Sequence, residues 1–167
     1  MKLSVIYHSV SGNTARMAQV IAEGMKLVPG VEARAFSIDA VDMDFARESR
    51  CIVAGCPTYV ADTSAAMHQW LEKEMGKLDL PGKLGGAFDT AQYIHGGGEL
   101  VIQALLDHML TMGMAVYSGG GSKGRPVIHL GPVAIAEAGD VEALMEFDDT
   151  FRIYGQRMAE KAVELFG

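Results

Sequence analysis

Residues Lys2 to Met17 constrain this chain more than any other stretch. A short apolar run, Leu3 to Tyr7, ends in a loop of small and hydroxyl residues, Ser9-Val10-Ser11-Gly12-Asn13-Thr14. A helical pattern follows at once, with Met17, Val20, Ile21, Gly24 and Met25 at spacings of three and four. Strand, tight loop and helix N-terminus in that order are a physical recipe for holding an anion. The first N–H groups of a helix have no partner within it, and they sit at the positive end of its dipole. Ser9, Ser11 and Thr14 add hydroxyls, Asn13 adds an amide, and Gly12 lets the backbone approach closely.

The pattern then repeats. Val31 to Ile38 alternates loosely and reads as a strand near a sheet edge. Asp39 to Arg50 is a polar connector with one helical turn. Cys51 to Cys56 is continuous and apolar, as a strand covered on both faces must be. Ser64 is placed to cap a helix running to about Met75, with Met67, Trp70 and Leu71 inward. Leu84 to Phe88 is the next buried strand, followed by a glycine-rich loop over 89–98. A helix over Glu99 to Met112 turns Leu100, Ala104, Leu105, His108 and Met109 inward. Met114 to Tyr117 is the last short strand. Ser118 to Ala136 has no clear period and reads as functional or mobile. A final helix starts at Gly139-Asp140, with Ala143, Leu144, Phe147, Phe151, Tyr154, Met158, Ala162 and Leu165 on its apolar side.

Short strands separated by helices imply crossover connections and a parallel sheet. The expected fold is α/β: an open, doubly wound, five-stranded parallel sheet in the order 2-1-3-4-5, with helices on both faces. Ligands in such sheets bind outside the carboxyl ends of the strands, at the switch point. Loops 9–14, 57–63 and 89–98 follow strands 1, 3 and 4, so they share that edge. No repeat or linker divides residues 1–167, which read as one domain.

Composition narrows the function. Net charge is −7 with no basic stripe, which argues against nucleic acid and permits a cationic docking partner. Cys51 and Cys56 lie five residues apart in a strand, on opposite faces, and read as structural thiols. No His or Cys cluster offers a metal site. No run reaches the roughly 18 apolar residues of a membrane span. The N-terminus reads as a strand and not as a cleavable signal, so the default address is the cytoplasm.

The phosphate loop excludes two large classes. It has one glycine and no lysine, so it is not G-x-x-x-x-G-K-[ST]. It also lacks G-x-G-x-x-G. With no charged residue in it, the loop suits a single phosphate monoester held by neutral donors. The competing reading is a serine-rich helix cap with no ligand.

Ser9 to Thr14 resembles the [ST]-x-[ST]-G-N-T phosphate loop of flavodoxins, which grips the 5′-phosphate of FMN. Gly55-Cys56-Pro57-Thr58-Tyr59 resembles the G-x-P-T-Y segment that opens their second flavin loop. Asp89 to Tyr93 with His95-Gly96-Gly97-Gly98-Glu99 is more similar to the H-G-G-G third loop of WrbA-type NAD(P)H:quinone oxidoreductases. The resemblance covers the whole chain. The first loop follows flavodoxins more than WrbA, and the chain is shorter than a WrbA enzyme.

This resemblance implies a flavodoxin-like fold and FMN as cofactor. Ser9, Val10, Ser11, Gly12, Asn13 and Thr14 would hold the phosphate. Pro57, Thr58, Tyr59 and Val60 with Thr90, Ala91, Gln92, Tyr93, His95, Gly96 and Gly97 would surround the ring. His95 has two readings: a substrate-orienting or proton-relaying catalytic residue, or a loop histidine bonded for structure. Asp62 and Asp89 are the acids nearest these loops. The expected function is an FMN oxidoreductase passing electrons from NAD(P)H to a quinone or similar acceptor. The glycine-rich 118–131 segment would frame its second pocket, and the chain could form a homo-oligomer. The alternative is a flavodoxin-type one-electron carrier between redox partner proteins. A domain that binds FMN for regulation or assembly is a third reading.

Overall fold

A computed structural model describes residues 1–167. Six strands form the sheet: β1 (Lys2–Tyr7), β2 (Glu32–Ser37), β3 (Cys51–Pro57), β4 (Leu84–Ala91), β5 (Ala115–Val116) and β6 (Val133–Ile135). Six helices connect and cover them: α1 (Asn13–Lys26), α2 (Met43–Glu48), α3 (Ala65–Lys73), α4 (Gly98–Thr111), α5 (Val141–Met145) and α6 (Asp148–Phe166). The strand order is β2-β1-β3-β4-β5, all parallel, as the crossover pattern predicts.

The fifth position of the sheet departs from expectation. β5 pairs only with Leu84 and Gly85 at the start of β4. β6 pairs with Asp89, Thr90 and Ala91 at its end. One edge of β4 is thus served by two short strands, with residues 117–132 looping out between them. That segment is held from below by Arg157, whose buried guanidinium donates to the carbonyls of Pro126 at 2.9 Å and Arg125 at 3.2 Å. A guanidinium carries five N–H donors on a rigid fork, so one side chain can bind several loop carbonyls where no strand ladder forms.

Side-chain alternation along β1 and β3 divides the core in two. Leu3, Val5, Cys51 and Val53 face α1, α5 and α6. Ile6, Ile52, Ala54 and Cys56 face α2, α3 and α4. The two cysteines are free, fully buried and on opposite faces. Trp70 packs in the second layer with Met67 and Leu71. On the first face α1 and α6 touch through glycines. A Cβ on Gly24 would lie 2.0 Å from the Arg152 carbonyl oxygen, and one on Gly155 would lie 2.1 Å from that of Ile21.

Ser64 caps α3 by accepting from the Met67 N–H at 3.3 Å. The last helical pattern, by contrast, is broken. Asp140 caps α5, which stops at Met145, and α6 starts at Asp148. Two apolar assignments are corrected. Leu100 and Leu165 are 62% and 50% exposed, because α4 buries Val101 and Ile102 instead and Leu165 lies in the last turn of α6. α2 runs six residues and is capped by Asp42, longer than the single turn expected.

Candidate functional site

The three loops meet at the carboxyl ends of β1, β3 and β4 around an open cleft of about 430 Å³. Val10, Ser11 and Asn13 form one end. Pro57, Thr58, Tyr59, Val60 and Ala61 form one wall. Thr90, Ala91, Gln92, Tyr93 and Gly96 face them. Ala136 and Ala138, just beyond β6, close the remaining side.

The first loop keeps its donors unspent. No N–H of Ser9, Val10, Ser11 or Gly12 donates to a backbone carbonyl. The Ser9 hydroxyl oxygen is buried without a partner, a costly state that an incoming acceptor would relieve. Gly12 caps α1 at φ 98°, a left-handed conformation that glycine adopts at no steric cost.

Two side chains of this loop are committed elsewhere. Asn13 donates from Nδ2 to the Glu137 carbonyl at 2.8 Å and accepts from the Gly139 N–H at 3.0 Å. Its amide oxygen and one amide N–H are therefore spent on this turn, leaving the second amide N–H and the backbone N–H for an anion. What the amide does is bring the 137–139 turn, and with it Ala136 and Ala138, against the cleft. The Thr14 hydroxyl is buried and shares a 2.8 Å hydrogen bond with that of Thr90. It ties the first loop to the third.

The second loop is a tight hairpin. Tyr59 and Asp62 exchange backbone hydrogen bonds of 2.9 and 3.0 Å across Val60 and Ala61. Both central residues have positive φ, 55° and 60°, the geometry of a two-residue primed turn usually filled by asparagine and glycine. Val60 is fully exposed at its tip. The Thr58 N–H donates to the Thr90 carbonyl at 2.9 Å, which fixes the spacing of the two walls.

The third loop begins later than its composition suggests. Asp89, Thr90 and Ala91 belong to β4, so Thr90 and Ala91 are held by the sheet. Gly97 caps α4 and packs on the second loop, where a Cβ would lie 2.7 Å from that of Ala61. His95 is exposed on the turn before α4, outside the cleft lining. Ser9, Gly12, Thr14 and Gly97 are likewise not part of the lining, while the other residues singled out in the sequence border it. None of residues 118–131 reaches the cleft. Arg157 instead ties the segment to α6 through the carbonyls of Pro126 and Arg125.

Ala61, Ala136 and Ala138 carry no chemical signal in the sequence, and only packing reveals them. Asp89 is more informative. Its carboxyl is fully buried beside the cleft wall, and the Thr58 hydroxyl bonds to its Oδ2 at 2.6 Å. Burial pushes its pKa up to about 8; the Thr58 bond works against this and the charge of Glu99 adds to it. Asp62 is exposed and bonds to the Thr63 N–H. Cys56, beneath the same wall, is pushed up to about 12 by burial and is an inert thiol. No helix is long and apolar enough to cross a membrane.

Comparison with known proteins accords with this geometry. The family model described as flavodoxin matches residues 5–98. A flavodoxin of Clostridium saccharobutylicum is 42% identical over 166 residues, covering 99% of this chain and all of that one. An NAD(P)H dehydrogenase (quinone) of Geobacter sulfurreducens is 29% identical over 143 residues, covering 70% of each. Among solved structures, the flavodoxin, WrbA-like protein from Agrobacterium tumefaciens superposes with a TM-score of 0.78 over 98% of both chains. At 24% identity that likeness speaks to the fold. The chain belongs to the flavodoxin family, whose cofactor is FMN.

Proposed function

We propose that this flavodoxin-family chain is an electron carrier, passing electrons one at a time between redox partner proteins through FMN. The observation that carries the reading is the cleft's rim. Val10, Val60, Tyr93 and Ile94 stand around it at 72%, 101%, 65% and 72% exposure, with no segment folded over them. A carrier needs its cofactor edge within reach of a partner's surface. An enzyme that hides a reacting substrate needs a cover or a second pocket. The full-length similarity to a flavodoxin supports the same reading.

The residues present fit FMN. Unspent loop N–H groups, the orphaned Ser9 hydroxyl and the N-terminus of α1 suit its phosphate. Ser11 and the backbone of Asn13 and Thr14 would complete that shell. Pro57, Tyr59, Val60 and Tyr93 give flat or apolar surface for the ring, and Thr58, Thr90 and Gln92 offer polar groups to its edge. When bound, FMN supplies the redox chemistry. The protein binds and orients it in a cleft whose lining carries no charged side chain. The overall charge of −7 favours cationic partner surfaces.

A second reading, transfer from NAD(P)H to a quinone, draws on the His95-Gly96-Gly97-Gly98 loop and the quinone dehydrogenase relative. Two measurements separate them. Potentiometric titration of the FMN-loaded protein should give two resolved one-electron stages for a carrier. Rapid NADH or NADPH oxidation with benzoquinone, together with a single two-electron stage, would transfer the conclusion to the enzyme.

A further inference from the structure

Asp89 is the one buried acid of the chain and lies behind the cleft wall, and neither phosphate binding nor ring stacking uses it. It lies in the last part of β4, which is buried along its whole length, with its N–H donating to the Pro132 carbonyl at 3.1 Å. Its side chain has no exposed surface. Oδ2 receives the Thr58 hydroxyl, while Oδ1 is buried with no partner. Gly98 leaves it the room it occupies, since a Cβ there would stand 2.8 Å from Oδ2.

No cation faces this carboxyl. From β3 it meets Cys56, its register partner, and Thr58. From β6 it meets Pro132 and Val133, both without charge. From α4 it meets Gly98 and feels the like charge of Glu99. A buried carboxylate supported only by neutral donors, the Thr58 hydroxyl and the Thr90 backbone, with no counter-charge is poorly stabilised, so burial favours the neutral acid.

Thr58 has one hydroxyl hydrogen and lines the cleft. An ionised Asp89 accepts only, so it takes that hydrogen and leaves Thr58 offering lone pairs to the cleft. A neutral Asp89 can give its own proton to Thr58, which frees the hydroxyl hydrogen to point into the cleft.

We propose that Asp89 is a positioning residue that decides whether Thr58 offers the flavin a hydrogen-bond donor or an acceptor. Neutral Asp89 favours negative charge on the flavin. Ionised Asp89 opposes it twice, through its own charge and through the reversed hydroxyl. This rests on FMN occupying the cleft and not on which partner receives the electrons.

The test compares FMN-loaded wild type with Asp89→Asn, an amide that cannot ionise. Dissociation constants of oxidised and fully reduced FMN are measured from about pH 6 to about pH 10, by fluorescence titration and from midpoint potentials against dithionite. Binding of reduced FMN by wild type should weaken relative to the variant only above about pH 8, by about tenfold near pH 10. An offset that is constant with pH indicates mere packing and overturns the proposal, as do superimposable curves. Failure of wild type to bind oxidised FMN at all would instead overturn the cofactor assignment.

If Asp89→Asn does not fold, infrared spectroscopy of wild-type apoprotein decides. A carboxylic-acid band should persist at neutral pH and vanish with a midpoint near 8. Its loss near pH 4, the ordinary range, overturns the proposal.

Discussion

The end of the cleft proposed for the phosphate and the end proposed for the ring are built differently. Loop 9–14 is locally built: one strand end, one left-handed glycine and one helix N-terminus supply its donors, and the donors remain unspent. The ring-side loops are cross-linked before any ligand arrives. Thr58 is tied to Asp89, Thr90 to Thr14, Tyr59 to Asp62, and Gly97 packs on Ala61. On the proposed assignment, the contrast teaches that anchoring and tuning belong to separate regions. A set of free N–H groups gives anchorage regardless of redox state. Hydroxyls already engaged to buried partners respond to changes in charge.

The contrast breaks most readily by removing the phosphate from the ligand. Riboflavin should bind about 10⁴-fold more weakly than FMN, if about three charge-assisted hydrogen bonds at roughly 2 kcal/mol each are lost. Fluorescence titration of the apoprotein measures this, and equal affinities would place the binding energy at the ring end.

Next in size is the pH dependence of stability at the ring end. Asp89 has a folded pKa raised from 3.8 to about 8, so the folded state holds a proton that the unfolded state has lost. Stability therefore falls as pH rises through that window, by about 1 kcal/mol per pH unit. Urea denaturation should show Asp89→Asn gaining on wild type from about pH 4 to about pH 8, and no change in the gap would contradict the buried, neutral carboxyl.

Thr14→Val probes the link between the two ends. It keeps the side-chain shape and removes the hydroxyl shared with Thr90, and FMN should bind about tenfold or more weakly, by roughly 1.5–3 kcal/mol. Riboflavin affinity separates the causes: if it falls equally, the loss comes through Thr90 and not through the phosphate.

Asn13→Ala removes two hydrogen bonds to the 137–139 turn and should lower stability by about 1–2 kcal/mol in denaturant titrations. FMN affinity should fall less, since the backbone donor at residue 13 remains. A large loss of affinity without loss of stability would return the amide to the phosphate.

The smallest effect lies at the hairpin tip. Val60→Gly relieves a β-branched residue at φ 55°, and thermal unfolding should show a gain of up to about 1 kcal/mol. A loss would mean that the exposed valine is packed in the folded state.

Taken alone, the sequence determined the α/β order, the strand order and the shared edge of loops 9–14, 57–63 and 89–98. These rest on short-range signals: apolar runs, helical spacing, glycine and the hydroxyl cluster. The absence of lysine and of a second glycine limited the first loop to a phosphate monoester. Tertiary structure alone decided the rest, because each decision depends on a distant partner. The Asn13 amide goes to a turn 124 and 126 residues away. Arg157 splits the last sheet position by holding residues 119–126. His95 stands outside the cleft although its neighbour Gly96 lines it. Asp89 reads in sequence as one acid among 21 and becomes a fully buried carboxyl behind the cleft wall, its pKa pushed up by burial. A side chain's type is local, but its protonation and its hydrogen-bond partner are set by what packs around it, and that is fixed only when the chain folds.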